Sequence, residues 1–146
     1  MIKRVGAFGY GRQGRFLVNL IRNTGRAEIG FVVEEKPQLL ENLKQDFSGS
    51  KLPQTMSMAE FAERAEAIGS EQDGFSVVTT TSSHVPIIKH LAPLKKPIFV
   101  EKPFAGTYAE SVEGWDALDK HKTPCFIGFQ RRLCGPIKDI YEITRG

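Results

Sequence analysis

Six residues near the N-terminus, Gly9-Tyr10-Gly11-Arg12-Gln13-Gly14, constrain this chain more than anything else in it. The Gly-x-Gly-x-x-Gly spacing alone is weak, because glycine is common in turns. Its setting is what gives it meaning. Lys3 to Phe8 reads as a short buried strand, and from Arg12 to Arg22 the apolar Phe16, Leu17, Leu20 and Ile21 recur at helical spacing until Asn23-Thr24-Gly25 stops them. A glycine loop that leaves a strand and opens a helix has a mechanism. Gly9 permits the tight turn, Gly11 removes a Cβ where a pyrophosphate must approach, and Gly14 lets helix and strand pack closely. The helix start adds free N–H groups and the positive end of its dipole.

A second apolar run, Ile29 to Val33, completes a strand–helix–strand crossover unit and ends at Glu34-Glu35. An acidic side chain about 20 residues after the glycines is where a ribose is held. Glu34 takes that place, with Glu35 as its neighbour. A carboxylate there accepts from ribose hydroxyls and repels a 2′-phosphate, which favours NAD over NADP. Lys36 would neutralise a 2′-phosphate if it pointed inward, so NADP stays open as a second cofactor. The bland alternative is a ligand-free glycine turn with a solvated Glu-Glu-Lys corner; motif, context and acidic residue together argue against it.

The alternation continues. Pro37 to Gln45 reads as a helix and Phe47 to Lys51 as a loop. Ser57-Met58-Ala59-Glu60 has the form of a capping box, opening one helix through Phe61, Ala62, Ala65 and Ile68 that Gly69 closes. Phe75–Thr79, Ile98–Val100 and Cys125–Phe129 read as strands. Val85–Leu91, Thr107–Lys120 and a stretch from Ile137 to Ile143 read as helices. Val112, Trp115 and Leu118 share one face of their helix and read as core. Repeated alternation with buried strands implies a single α/β domain, a Rossmann-like doubly wound parallel sheet of about six strands.

Composition removes other classes. The 146 residues carry a net charge of only +3, with basic residues scattered rather than massed, which argues against a nucleic-acid partner. No run approaches the ~18 apolar residues of a membrane span. Two cysteines, Cys125 and Cys134, make no disulfide framework, and with no leader-like segment the expected compartment is the cytoplasm. No spacing resembles a metal site. Cys134 has no sequence-adjacent partner to activate it, and His90 and His121 read as solvated.

Three further segments lie at or just after strand ends: Thr79-Thr80-Thr81-Ser82-Ser83-His84, Glu101-Lys102-Pro103-Phe104 and Gly128-Phe129-Gln130-Arg131-Arg132-Leu133. In an open parallel sheet these loops face the same crevice as the glycine loop. With them the chain resembles, over essentially its whole length, the glucose-fructose oxidoreductase/inositol dehydrogenase (Gfo/Idh/MocA) family of NAD(P)-dependent sugar and polyol dehydrogenases. Glu-Lys-Pro after a short strand is the most specific element; Gln130 and Leu133 stand where the family has Asn and Phe, and Thr80 where it has proline. The resemblance implies that the backbone around Thr79, Thr80 and Thr81 lines the cofactor; His84, which either caps the following helix or contacts the ribose, is taken as a cofactor neighbour. It also implies that Glu101 and Lys102 reach the nicotinamide and the substrate hydroxyl. A lysine suits that role, because a nearby cation stabilises the alkoxide that develops as hydride departs.

The same resemblance divides the chain into a dinucleotide-binding domain, residues 1–130, and residues 131–146 as the start of a connection to a C-terminal substrate domain that is absent here. Two readings follow. One is the cofactor domain of an oxidoreductase acting on a polyol or sugar, weak or inactive alone; the other is a non-catalytic dinucleotide-binding regulatory module. Oligomerisation is left open, since the family's usual interface lies in the absent half.

Overall fold

The computed structural model describes residues 2–145, Arg131 and Leu133 by their backbone only. Six strands form one sheet: β1 (Lys3–Phe8), β2 (Ala27–Val33), β3 (Gln54–Met56), β4 (Gly74–Val77), β5 (Ile98–Val100) and β6 (Cys125–Ile127). All pairings are parallel and the order is β3-β2-β1-β4-β5-β6. The chain thus builds outward from β1 in one direction and then, from β4, in the other. That reversal opens a crevice beyond the carboxyl ends of β1 and β4.

Seven α-helices occur among the described residues; α1 (Arg12–Asn23), α2 (Pro37–Asp46), α3 (Met58–Glu63), α4 (Ala65–Ser70), α5 (Thr81–Leu91) and α6 (Tyr108–His121) bury residues against the sheet or one another, whereas α7 (Gly135–Arg145) buries none. Because successive strand residues point to opposite faces, each central strand feeds two cores. Ala7 and Val32 join Tyr10, Val18, Leu43 and Phe47 on one side. Phe8, Phe31 and Val33 join Phe61, Phe75 and Ile88 on the other, where Phe8 meets Phe61 edge-on at 4.9 Å. No described helix is long and apolar enough to cross a membrane.

The expected doubly wound parallel sheet is present, with local departures. β3 was not anticipated: only Met56 of its three residues is buried, so this edge strand carries almost no apolar signal. The capping box is real, Ser57 accepting from Glu60 N–H while the Glu60 carboxylate accepts from Ser57 N–H. The helix it opens is broken at Arg64 (φ −125°), giving α3 and α4 rather than one element. α5 starts at Thr81, four residues before the expected Val85, and holds Pro86 inside it. Strands β4 and β6 stop two residues early. Trp115 and Val112 are not core: they are 47% and 40% exposed, and only Leu118 of that trio is buried.

Candidate functional site

The crevice, about 680 Å³, opens where the loops after β1, β2, β4 and β5 converge. Those loops leave the sheet in register. Gly9 N–H donates to Val33 O (2.9 Å), Val78 N–H to Phe8 O (2.9 Å), Glu101 N–H to Val77 O (2.9 Å) and Gly128 N–H to Val100 O (2.8 Å), so the ladder continues past the strand ends.

The glycine loop is shaped from both sides. Gly9 has φ +90°, and a Cβ there would overlap the Val78 carbonyl. A Cβ on Gly14 would overlap the Gly9 carbonyl, while one on Gly11 would meet no protein atom within 4 Å. Two glycines therefore serve backbone packing; the third keeps open the space in front of α1. No side chain caps that helix, and its first turn carries no acidic residue, so its leading N–H groups and dipole face the crevice. A pyrophosphate fits this cradle.

Beside it, Glu34 is held by three backbone donors. Its Oε2 accepts from Tyr10 N–H (2.9 Å), and its Oε1 accepts from Glu35 N–H and Lys36 N–H (both 3.0 Å). The carboxylate is fixed in orientation with acceptor capacity left on Oε2. Glu35 is engaged more loosely, accepting from Met58 N–H at 3.3 Å.

Behind the loop lies a charged clamp. Arg15 donates to Asp46 through Nε and Nη2, both at 2.6 Å, and the Tyr10 hydroxyl donates to Asp46 Oδ2 at 2.7 Å. The Arg15 bonds hold the Asp46 carboxyl below the usual carboxylate range, and burial pushes the Tyr10 phenol above its own.

On the far side, Thr79, Thr80, Ser82 and Ser83 line the wall together with Pro86, Ile87 and His90 of α5. Glu101 reaches the crevice from β5, its Oε2 accepting from Lys102 N–H at 2.8 Å. That carboxylate lies against Gly128, where any Cβ would overlap it. Lys102 is exposed and precedes a cis peptide to Pro103.

Of the expected site residues, Gly9, Gly11, Arg12, Gln13, Gly14, Glu34, Thr79, Thr80 and Glu101 all border one cavity. Tyr10 does not: its side chain is fully buried and points to Asp46, leaving only its N–H at Glu34. Thr81 and Lys102 lie outside the cavity lining, and His84 is buried behind it, 1% exposed. Sequence reasoning missed Leu39, Met58 and Ile87 as lining, and His90, read as solvated, is exposed on the crevice rim. Ser83, Ile87 and His90 share one helical face, a spacing that would have found them had α5 been started at Thr81.

This geometry defines a dinucleotide-binding Rossmann domain. The family profile described as an oxidoreductase family with an NAD-binding Rossmann fold matches residues 3–129, and the chain belongs to that family, Gfo/Idh/MocA. The rhizopine catabolism protein MocA of Rhizobium meliloti is 28% identical over 142 residues, 97% of this chain and 42% of that protein. The uncharacterized oxidoreductase YrbE of Bacillus subtilis is 35% identical over 72 residues, 49% of this chain and 21% of that protein. Among solved structures, the scyllo-inositol dehydrogenase of Lactobacillus casei with bound NAD(H) and scyllo-inositol superposes with a TM-score of 0.81 at 18% identity, covering 99% of this chain and 41% of that one. The WlbA dehydrogenase of Bordetella pertussis, in complex with NADH and UDP-GlcNAcA, gives the same TM-score at 18% identity, covering 99% and 42%. The chain thus spans about two fifths of the length of MocA and of the two dehydrogenase structures.

Proposed function

We propose that this chain binds NAD in the crevice and forms the cofactor half of an oxidoreductase acting on a CH–OH group of a polyol or sugar. The observation that carries this reading is the conjunction of an open cradle at Gly11 with an oriented carboxylate, Glu34, bordering the same cavity. The N-terminus of α1 would hold the pyrophosphate and Glu34 the adenosine ribose hydroxyls, while Thr79 and Thr80 would hold the other ribose, and Glu101, which borders the cavity, with the adjacent Lys102 would serve the nicotinamide end. NADP binds more weakly, because Glu34 repels a 2′-phosphate, while the exposed Lys36 moderates that repulsion. Bound there, the nicotinamide supplies the hydride acceptor.

Lys102 is the catalytic residue of this reading: its ammonium would stabilise the alkoxide that forms as the hydroxyl proton passes to solvent, to which Lys102 is open. Residues 131–146 begin the connection to a substrate-binding region, which agrees with α7 having no buried residue. Turnover by the 146 residues alone is therefore weak, since the relatives hold more than half of their length outside the match. Calorimetric titration with NAD and NADP tests the binding claim. Saturable binding with NAD preferred is expected, and binding of neither overturns it. Steady NADH production by the purified chain from a panel of polyols would overturn the claim of weak turnover.

A further inference from the structure

His84 is enclosed, yet it touches both loops that matter. Nδ1 lies 3.0 Å from Pro103 O and Nε2 3.3 Å from Thr79 O. A carbonyl only accepts and a neutral imidazole carries one N–H, so the ring donates to one of the two, and the shorter contact, Nδ1 to Pro103 O, is assigned as the hydrogen bond, with Nε2 packed against Thr79 O. The two carbonyls belong to different loops: Thr79 borders the cavity after β4, and Pro103 lies two residues beyond Glu101, the cavity-lining residue after β5.

These loops share the ladder only as far as Glu101 N–H to Val77 O, and then diverge. Beyond that point the β5 loop has two anchors. One is Phe104, buried against Gly114 and stacked on Trp115 with ring centroids 5.1 Å apart. The other is the Pro103 carbonyl on His84. The Phe104 anchor ties the loop to α6, whereas the His84 ring, among the described hydrogen bonds beyond Glu101, joins it to the chain that follows β4.

We infer that His84 is a positioning residue that latches the loop after β4 to the loop carrying Lys102, so that occupation of the crevice at Thr79 is transmitted to Lys102. The coupling rests on the crevice being a dinucleotide site; the latch itself does not. His84 therefore does its work from behind the cavity, unlike the cofactor-neighbour role expected from the sequence.

Two measurements on the 146-residue chain test this. With ¹⁵N-labelled histidine and no cofactor, one imidazole N–H is expected to exchange slowly with water and to show a hydrogen-bond coupling to the Pro103 carbonyl. An N–H that exchanges as fast as that of the exposed His90 overturns the latch. The second measurement titrates NADH while following the amides of Lys102 and Phe104, in the wild type and in His84→Gln. In the wild type both amides are expected to shift. In the variant, NADH affinity falls about fivefold to tenfold, the worth of one buried hydrogen bond, and the shifts at 102 and 104 shrink with it even at saturation. Unchanged affinity and shifts overturn the coupling, and a purely structural histidine would lower the melting temperature while leaving the saturated shifts intact. If His84→Gln fails to fold, the wild-type ring measurement still decides the latch. Failure of NADH to bind the wild type overturns the dinucleotide reading and the coupling, whereas a fast-exchanging ring with NADH bound overturns the latch alone.

Discussion

The two walls of the crevice are built by different means. On the β1–β2 side almost every element of the site is held by backbone or by charge. Gly9 and Gly14 fit against carbonyls, Glu34 takes three N–H groups, and Asp46 joins α2 to Arg15 of α1 and to Tyr10. On the β4–β6 side the strands shorten to three or four residues, and the loop after β5 is held by one histidine ring and by buried Phe104 stacked on half-exposed Trp115. Phe126 at the sheet edge is 54% exposed, and so are several apolar residues of α7. A preorganised seat costs little to fill, because its ordering is already done. The looser wall carries Lys102, whose proposed task involves a second reactant and some movement.

The sharpest way to break this contrast is at Gly9. Its backbone lies at φ +90°, and a Cβ would meet the Val78 carbonyl rather than the end of a flexible side chain. Gly9→Ala is expected to lose about 3–5 kcal/mol of stability, from strain and overlap together, and to abolish NADH binding. Urea unfolding and fluorescence titration read the two effects. A variant as stable as the wild type would mean that the loop yields easily.

Asp46→Asn comes next, at about 1–2 kcal/mol for weakening a charge-assisted, part-buried cluster in which Arg15 is itself partly exposed. Its signature is pH dependence. The Arg15 bonds lower the carboxyl's native pKa, so the stability it contributes is complete above the usual carboxylate range and is lost as pH falls through the lowered native value. Between about pH 5 and pH 3 the wild-type urea midpoint should fall more steeply than the variant's. Glu60 and Asp73 shift in the same direction but are present in both proteins, so the difference in slope isolates Asp46.

What the sequence disclosed follows the same division. The β1–α1–β2 unit was readable because glycine spacing, helical periodicity and an acidic terminus are local signals, all within the first 35 residues. The Tyr10 side chain was not, since its partner Asp46 is 36 positions away and nothing local tells a loop side chain which way to turn. β3 escaped because an edge strand with two exposed residues resembles a loop. α5 was started late because Thr80 to Ser83 reads as turn chemistry, although Thr80 is the residue that precedes the helix. Trp115 sits at core spacing with Leu118, yet the helix turns it outward onto Phe104; periodicity gives a shared face, not the depth at which that face lies.

Glu34→Ala probes the seat with a smaller effect. About a tenfold loss of NAD affinity is expected, equal to ~1.4 kcal/mol, with a smaller loss for NADP because the repelling charge has gone. Removal also frees the N–H groups of Tyr10, Glu35 and Lys36, so Glu34→Gln is the control that keeps a side-chain acceptor. Unchanged discrimination between NAD and NADP in both variants would take Glu34 out of the ribose site.

The smallest effect belongs to the looser wall, and it decides whether the contrast is real. Trp115 is 47% exposed and stacks on Phe104 with the rings inclined at 22°. Were it core, Trp115→Ala would cost about 3–5 kcal/mol. As a half-exposed stacking partner it should cost about 1 kcal/mol, leave NADH affinity unchanged, and increase the exchange of the Phe104 amide. A urea midpoint shift as large as that of Asp46→Asn would show the β5–β6 side to be built as tightly as the glycine-loop side. The difference between the walls would then lie in their surface chemistry rather than in their rigidity.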